Sequence, residues 1–226
     1  MILKKKRSRL YVISQILYGA SIVSLLVGGW LGWSQWQANQ AADKKAEHTT
    51  QQANRGDTSI APSTVKPKPS EFDTYTVAPD RPRYLFIPKL SVRAMVKPLG
   101  LVANNHIDAP RSAFDAGWYV ESAKPGQAGA MFIDGHVSGG AVPGIFHNIT
   151  SLIPGDTLQV QRGDGALLTY TVIKSQTYSI ANVDMSTILE PMTNKPGLNI
   201  MTCGGNVIKG TNNFDKRIVV FAEQSS

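Results

Sequence analysis

The sequence holds one cysteine, Cys203, at the end of the run LNIMTC and directly before Gly204 and Gly205. A strand-like apolar run that meets two glycines brings a side chain to a rim, where the backbone can bend around an approaching substrate. A thiol placed there is a candidate nucleophile. The alternative is a buried cysteine packed as a small hydrophobe, and the abrupt change from strand to Gly-Gly argues against it. A free thiol has a pKa near ~8.5, so only a few per cent is thiolate at neutral pH. Such a nucleophile needs a cationic or proton-transferring neighbour.

Four histidines could supply the proton carrier. His48 lies in a polar stretch, His106 in the turn-rich VANNHIDAP, and His147 in GIFHNITSL, where packing or surface exposure is the expected role. His136 differs, because MFIDGHV places it where an apolar run meets glycine, as at Cys203. Cys–His pairs come from distant parts of a chain, so the separation is no objection. Arg217, in DKRIVVFAE, opens the last apolar run, fourteen residues after the cysteine. If those two runs pair as strands, a permanently charged group with five donors lies beside the thiol, where it can hold an oxyanion. The plainer role for Arg217 is a surface residue at the start of an edge strand.

These residues need strands to carry them, and the chain from Arg83 onward supplies strand patterns. Short apolar or alternating runs (RYLFIPKL, RAMVKPLG, AGWYV, GAMFIDGHV, TLQVQR, LLTYTVIKSQTY, LNIMTC, RIVVFAE) are separated by KPGQAG, VSGGAVPG, IPGD and RGDG. The intervening segments have turn compositions. QVQRGDGALLTY predicts a hairpin with Asp164-Gly165 at its turn. GIFHNITSL is the expected short helix. About eight strands in residues 83–226 predict a mainly β, closed or nearly closed barrel.

Upstream of the barrel the chemistry changes. Net charge is +7, but Lys4, Lys5, Lys6, Arg7 and Arg9 supply five of those charges with no acidic residue before position 34. The folded part is nearly neutral and has no basic stripe with interleaved aromatics, which excludes nucleic acid as an expected partner. Residues 10–33 carry no charge, and as a helix these 24 residues span about 36 Å against a hydrocarbon core of ~30 Å. We read 1–9 as a cytoplasmic basic segment and 10–33 as a single transmembrane helix, with Trp30, Trp33 and Trp36 at its outer end. A cleaved signal peptide is the rival reading, but its apolar core is shorter, about 7–15 residues. Residues 34–82 are polar and proline-bearing and read as an extracytoplasmic linker reaching roughly 40 Å as a flexible coil. A single cysteine excludes an intrachain disulfide. No metal-ligand spacing, acidic calcium cluster or cofactor motif is present, so no cofactor is expected.

His136 in DGHV, Cys203 in MTCGG and Arg217 in KRIVVFA, in that order on a β-rich domain behind an N-terminal anchor, resemble the sortases, cysteine transpeptidases of bacterial cell surfaces. FIPKLSVRAMVKPLGL resembles the family's opening strands, and the succession AGWY, KPGQAG, DGHV, GIFHNITSLIPGD follows its usual order. Cys-Gly-Gly and Ala-Gly-Trp-Tyr are most similar to class F. Asn199-Ile200 stand where many members carry Thr-Leu, and Asp134 where an apolar or small residue is more usual.

The resemblance implies a closed eight-stranded barrel over about residues 84–223. Cys203 would attack a Leu-Pro-x-Thr-Gly-like sorting signal of a secreted protein, His136 would carry the proton, and Arg217 would hold the oxyanion or the substrate backbone. Thr202 would line the groove. Residues 175–197 would read the signal, with Ile180, Val183, Ile188 and Leu189 as an apolar pocket or as residues that pack the loop onto the barrel. The acyl acceptor would be an amine such as a cell-wall precursor, and the enzyme a single-pass protein of the bacterial plasma membrane. Pilin polymerisation, hydrolysis with water as acceptor, and a non-catalytic surface binding module are the alternatives.

Overall fold

The computed structural model describes Trp33 and residues 62–102, 105–140, 142–211 and 213–225. The basic segment, nearly all of the anchor expected at 10–33, His48 and the first part of the expected linker lie outside the described residues. Among the described residues, no helix is long and apolar enough to cross a membrane.

Eight strands close into a barrel: β1 (Pro82–Ile87), β2 (Val92–Leu99), β5 (Ala116–Tyr119), β6 (Ala130–Gly135), β9 (Thr157–Arg162), β10 (Leu167–Ser179), β11 (Gly197–Val207) and β12 (Phe214–Gln224). Their order around the barrel is β1-β2-β5-β6-β11-β12-β10-β9. Two small ladders stand apart, β3 (Leu101–Val102) with β4 (His106–Ile107) and β7 (Ser138–Gly139) with β8 (Val142–Pro143). Closure leaves no free edge among the eight strands, which removes the commonest route to strand-on-strand aggregation.

The period of two sorts the side chains. Leu85, Val96, Trp118, Met131, Ile133, Leu158, Val160, Tyr170, Leu198, Ile200 and Val220 point inward and form one core. The predicted hairpin forms, with Leu167 opposite Gln161 across a turn in which Gly165 has φ +89°. The expected helix in GIFHNITSL is smaller than the pattern suggests: consecutive turns lead into one 3₁₀ turn, Ile149–Ser151, which Pro154 keeps from continuing.

Residues 62–81, expected to belong to the linker, are held against the barrel. Ser63 bridges to the segment before β5, its N–H donating to the Arg111 carbonyl at 2.8 Å and its carbonyl accepting from Ala113 at 3.0 Å. Pro69–Thr74 form a short helix whose first turn is held by the Glu71 carboxylate on the Lys68 N–H at 3.0 Å. Phe72 and Tyr75 pack beside Tyr84 with ring centroids 5.9 and 6.2 Å away, and Arg93 lies over Phe72 at 4.6 Å. The hydroxyls of Tyr75 and Tyr84 donate to the carbonyls of Val96 and Phe72. Two aromatics, Phe72 and Tyr75, scattered among prolines and charges show no periodicity, so composition alone reads them as linker.

Candidate active site

Cys203 lies on β11 and its antiparallel partner on β12 is Arg217. Directly opposed residues in such a ladder have Cβ atoms about 4.5–5.5 Å apart on the same face. On its other side β11 runs parallel to β6, with Met201 opposite Asp134. Continuing that register two residues puts His136 level with Cys203. Thr202 reinforces the alignment, since its hydroxyl donates to the Gly135 carbonyl at 2.7 Å. Two neighbouring strands therefore present a thiol and a guanidinium at one level, and the chain that leaves β6 at Gly135 carries the imidazole on its next residue. Alternation places Cys203, Met201 and Arg217 on the outer face, opposite to the buried Ile200 and Ile218.

His136 is fixed from two directions. Its Nε2 lies 2.7 Å from the Pro110 carbonyl. A carbonyl only accepts, so Nε2 carries the proton and Nδ1 is the nitrogen left to take up another. Its own carbonyl accepts from Phe146 N–H at 3.1 Å, while a side chain at Gly144 would overlap that carbonyl. The glycine allows the 137–146 loop to close down behind the histidine. His147 and His106 are exposed, His147 bonding the Val137 carbonyl at 3.2 Å.

Arg217 Nη1 donates to the carbonyls of Lys216 at 2.9 Å and Phe214 at 3.2 Å, which turns the guanidinium along its own strand. Burial pushes the Cys203 thiol above its ordinary pKa, Arg217 pulls it down, and Asp134 adds to the rise. At rest the sulfur is a thiol, and it needs a proton acceptor before it can attack. Burial also drives the Asp134 carboxyl up to about 7, against the lowering effects of the Gly135 N–H and Arg217.

Two sequence expectations change here. Cys203 does not end its strand: β11 continues to Val207 through an irregularity between Gly204 and Val207, where Gly205 has φ +78°. A side chain at Gly204 would strike Ile218, so the glycines permit a bulge within the ladder and the strand goes on beyond it. Thr202 does not line a groove. It is fully buried on the inward face, where the pleat puts it one residue out of phase with Cys203.

The outer face of β6, β11 and β12 carries a second apolar cluster of Tyr119, Phe132, Ile188, Val219 and Phe221. Val183, Leu189 and Met201 pack against it, while Ile180 stays 41% exposed. Of the four apolar residues singled out in 175–197, Ile188 is thus wholly enclosed, Val183 and Leu189 are half covered, and Ile180 faces solvent. Residues 175–179 still belong to β10. The connection that follows is tied down by Asn199, whose Nδ2 donates to the carbonyls of Ile188 (2.8 Å) and Glu190 (2.9 Å). Asn199 had registered in the sequence only as a departure from pattern. Its outward phase on β11, shared with Cys203, is the signal that could have marked it. Among the described residues, no group of three or more His, Cys, Asp or Glu could hold a metal ion.

The sequence matches the family model of the sortase domain over residues 85–225. No curated protein matches it. Among solved structures, sortase C-3 of Streptococcus pneumoniae superposes with a TM-score of 0.52 at 18% identity, covering 85% of this chain and 84% of that one. Sortase C-1 of Actinomyces oris gives 0.51 at 18% identity over 81% of this chain and 98% of that one. A pilus-related sortase C of Group B Streptococcus gives 0.51 at 14% identity over 83% and 91%. At these identities the structures speak to the fold, and the family model, spanning most of the chain, speaks to membership. This chain belongs to the sortase family of cysteine transpeptidases.

Proposed function

We propose that the protein cleaves a Leu-Pro-x-Thr-Gly-like sorting signal of secreted proteins and transfers the acyl group to an amine of a cell-wall precursor, with Cys203, His136 and Arg217 as its catalytic residues. The observation that carries this reading is the pairing of Cys203 with Arg217 across β11 and β12, with Thr202 bonded to the Gly135 carbonyl immediately before His136.

The chemistry divides into two displacements. Cys203 gives its proton to His136 and attacks the scissile carbonyl carbon, and the carbonyl π pair moves onto oxygen. Arg217 stabilises that oxyanion. Two of its five donors are spent on backbone carbonyls, and the remaining three N–H groups are suited to an oxygen arriving beside the sulfur. His136 then protonates the leaving amine as the C–N bond breaks, and a thioester remains on Cys203. In the second half an acceptor amine attacks the thioester, His136 takes its proton, and the thiolate departs.

The half-covered Val183 and Leu189 beside Met201 supply an apolar surface suited to the Leu and Pro of the signal. Cys203-Gly204-Gly205 and Ala116–Tyr119 favour a class F-like member. The uncharged run at 10–33 behind a basic segment supports a single-pass anchor in the bacterial plasma membrane with the barrel outside.

The test is to incubate the full-length chain, in detergent or vesicles, with a sorting-signal peptide and a short oligoglycine amine, and to weigh the products. The expected product joins the peptide, cut between Thr and Gly, to the amine. Hydrolysed peptide alone would make the enzyme a peptidase. Unchanged peptide with Cys203 intact would overturn the substrate class.

A further inference from the structure

Asp134 lies on β6 two residues before His136, and therefore on the same outer face. Its cross-strand neighbours are Met201 on β11 and Gly117 on β5, and neither has a side-chain donor. Above Gly117 sit the side chains of Leu99 and Pro110, close enough that a Cβ on that glycine would collide with Leu99. On its outer face Asp134 thus has no side-chain donor at either cross-strand position, and its partner on β11 stands two residues before Cys203. The charged and titratable groups that face it are few. Arg217 on β12 attracts its charge, and Asp108, in the segment after β4, repels it. On β11 the Cys203 thiol is raised in part by the charge of Asp134, and His136 follows directly after the end of β6.

A carboxyl in this position has two effects when it ionises. It competes with the substrate oxygen for the guanidinium of Arg217, and it disfavours a second negative charge on the sulfur of Cys203. Both oppose the attack. When it is protonated, both effects vanish and Arg217 is left to the substrate.

We propose that Asp134 is a positioning residue whose protonation state governs the site: neutral, it leaves Arg217 and Cys203 competent, and charged, it restrains them. The inference rests on the catalytic roles proposed above for Cys203 and Arg217. Burial holds the carboxyl at about 7, so the switch lies within the pH range that an extracytoplasmic enzyme meets. The sign follows from linkage. Asp134 binds its proton below about 7 and loses it above, so the restraint grows as pH rises through that value.

The experiment follows alkylation of Cys203 by iodoacetamide from pH 5 to 9.5 in the full-length chain, alongside kcat/KM for a sorting-signal peptide. The wild-type alkylation profile should show an inflection near 7 in addition to that of the thiol, and this inflection should persist in His136→Ala. In Asp134→Asn it should vanish. The variant should alkylate about fivefold faster than wild type at pH 8 and within about twofold of it at pH 5.5. Its kcat/KM should keep rising to higher pH than that of wild type. Superimposed wild-type and Asp134→Asn profiles overturn the inference, as does an inflection that disappears with His136. If Asp134→Asn fails to fold, the wild-type and His136→Ala profiles decide: a single thiol inflection overturns the inference. The underlying reading has its own arm, since turnover by Cys203→Ala would refute the nucleophile while leaving the alkylation result intact.

Discussion

The two faces of one short sheet, β6, β11 and β12, do different work with alternate residues of the same strands. Inward, Ile133, Ile200 and Val220 are fully buried in a continuous apolar core. Outward, Asp134, Cys203 and Arg217 sit beside Phe132, Val219 and Phe221, partly roofed by the connection between β10 and β11. The inward face makes the barrel stable through apolar burial, and the outward face accepts desolvated polar groups that cost stability and are useful in chemistry. A one-residue phase separates the two roles. Thr202 stands at the boundary: it is inward and buried, yet it aligns the strand that carries Cys203 by bonding the residue before His136.

That division can be broken or sharpened by substitution. The largest effect belongs to the outer face: Cys203→Ala should lower kcat by roughly 10⁴ or more with no loss of melting temperature, measured by peptide turnover and thermal denaturation together. Arg217→Ala should cost about 10²–10³ in kcat by removing oxyanion donors. His136→Ala should cost about 10²–10⁴, whereas His147→Ala should retain substantial activity; equal loss from His147→Ala would show that the wrong histidine is assigned.

The inner face should give the reverse result. Leu198→Ala should lower unfolding free energy by about 2–5 kcal/mol in denaturant titration, while a sample kept folded turns over with an unchanged pH profile. Thr202→Val tests the boundary: leaving the Gly135 carbonyl without its donor should cost about 1–3 kcal/mol of stability and reduce kcat through misalignment of Cys203 and His136. The smallest effect concerns Asp134. Its raised pKa means that the folded state binds a proton the unfolded chain has already lost, so its contribution falls as pH climbs from the ordinary carboxylate range to about 7. Because the residue is only partly buried, Asp134→Asn should gain about 1–2 kcal/mol more at pH 8 than at pH 5 relative to wild type, read from paired denaturation curves.

Much of the barrel was readable along the chain, because alternation, turn glycines and the Asp164-Gly165 hairpin are local signals. The candidate site residues stand out for a related reason: a cysteine, a histidine and an arginine at the ends of apolar runs have unusual surroundings in the sequence itself. Three features were hidden from that reading. The hold of residues 62–81 on the barrel depends on Phe72, Tyr75 and Ser63 finding partners far along the chain. The continuation of β11 past Cys203 depends on what Gly204 and Gly205 meet on β12. The surroundings of Asp134 depend on its pairing with Gly117 of β5 and Met201 of β11, positions distant in the chain.

By itself, the order of residues marked Cys203, His136 and Arg217 as candidates for nucleophile, proton carrier and fixed cation, at or beside strand-like runs. Only the tertiary structure decided that they share one level on one face, and that a titratable carboxyl joins them there. The reason is that strand pairing is non-local. The hydroxyl of Thr202 meets the carbonyl of Gly135 across 67 residues of chain, and a slip of one residue in that register would turn Cys203 into the core.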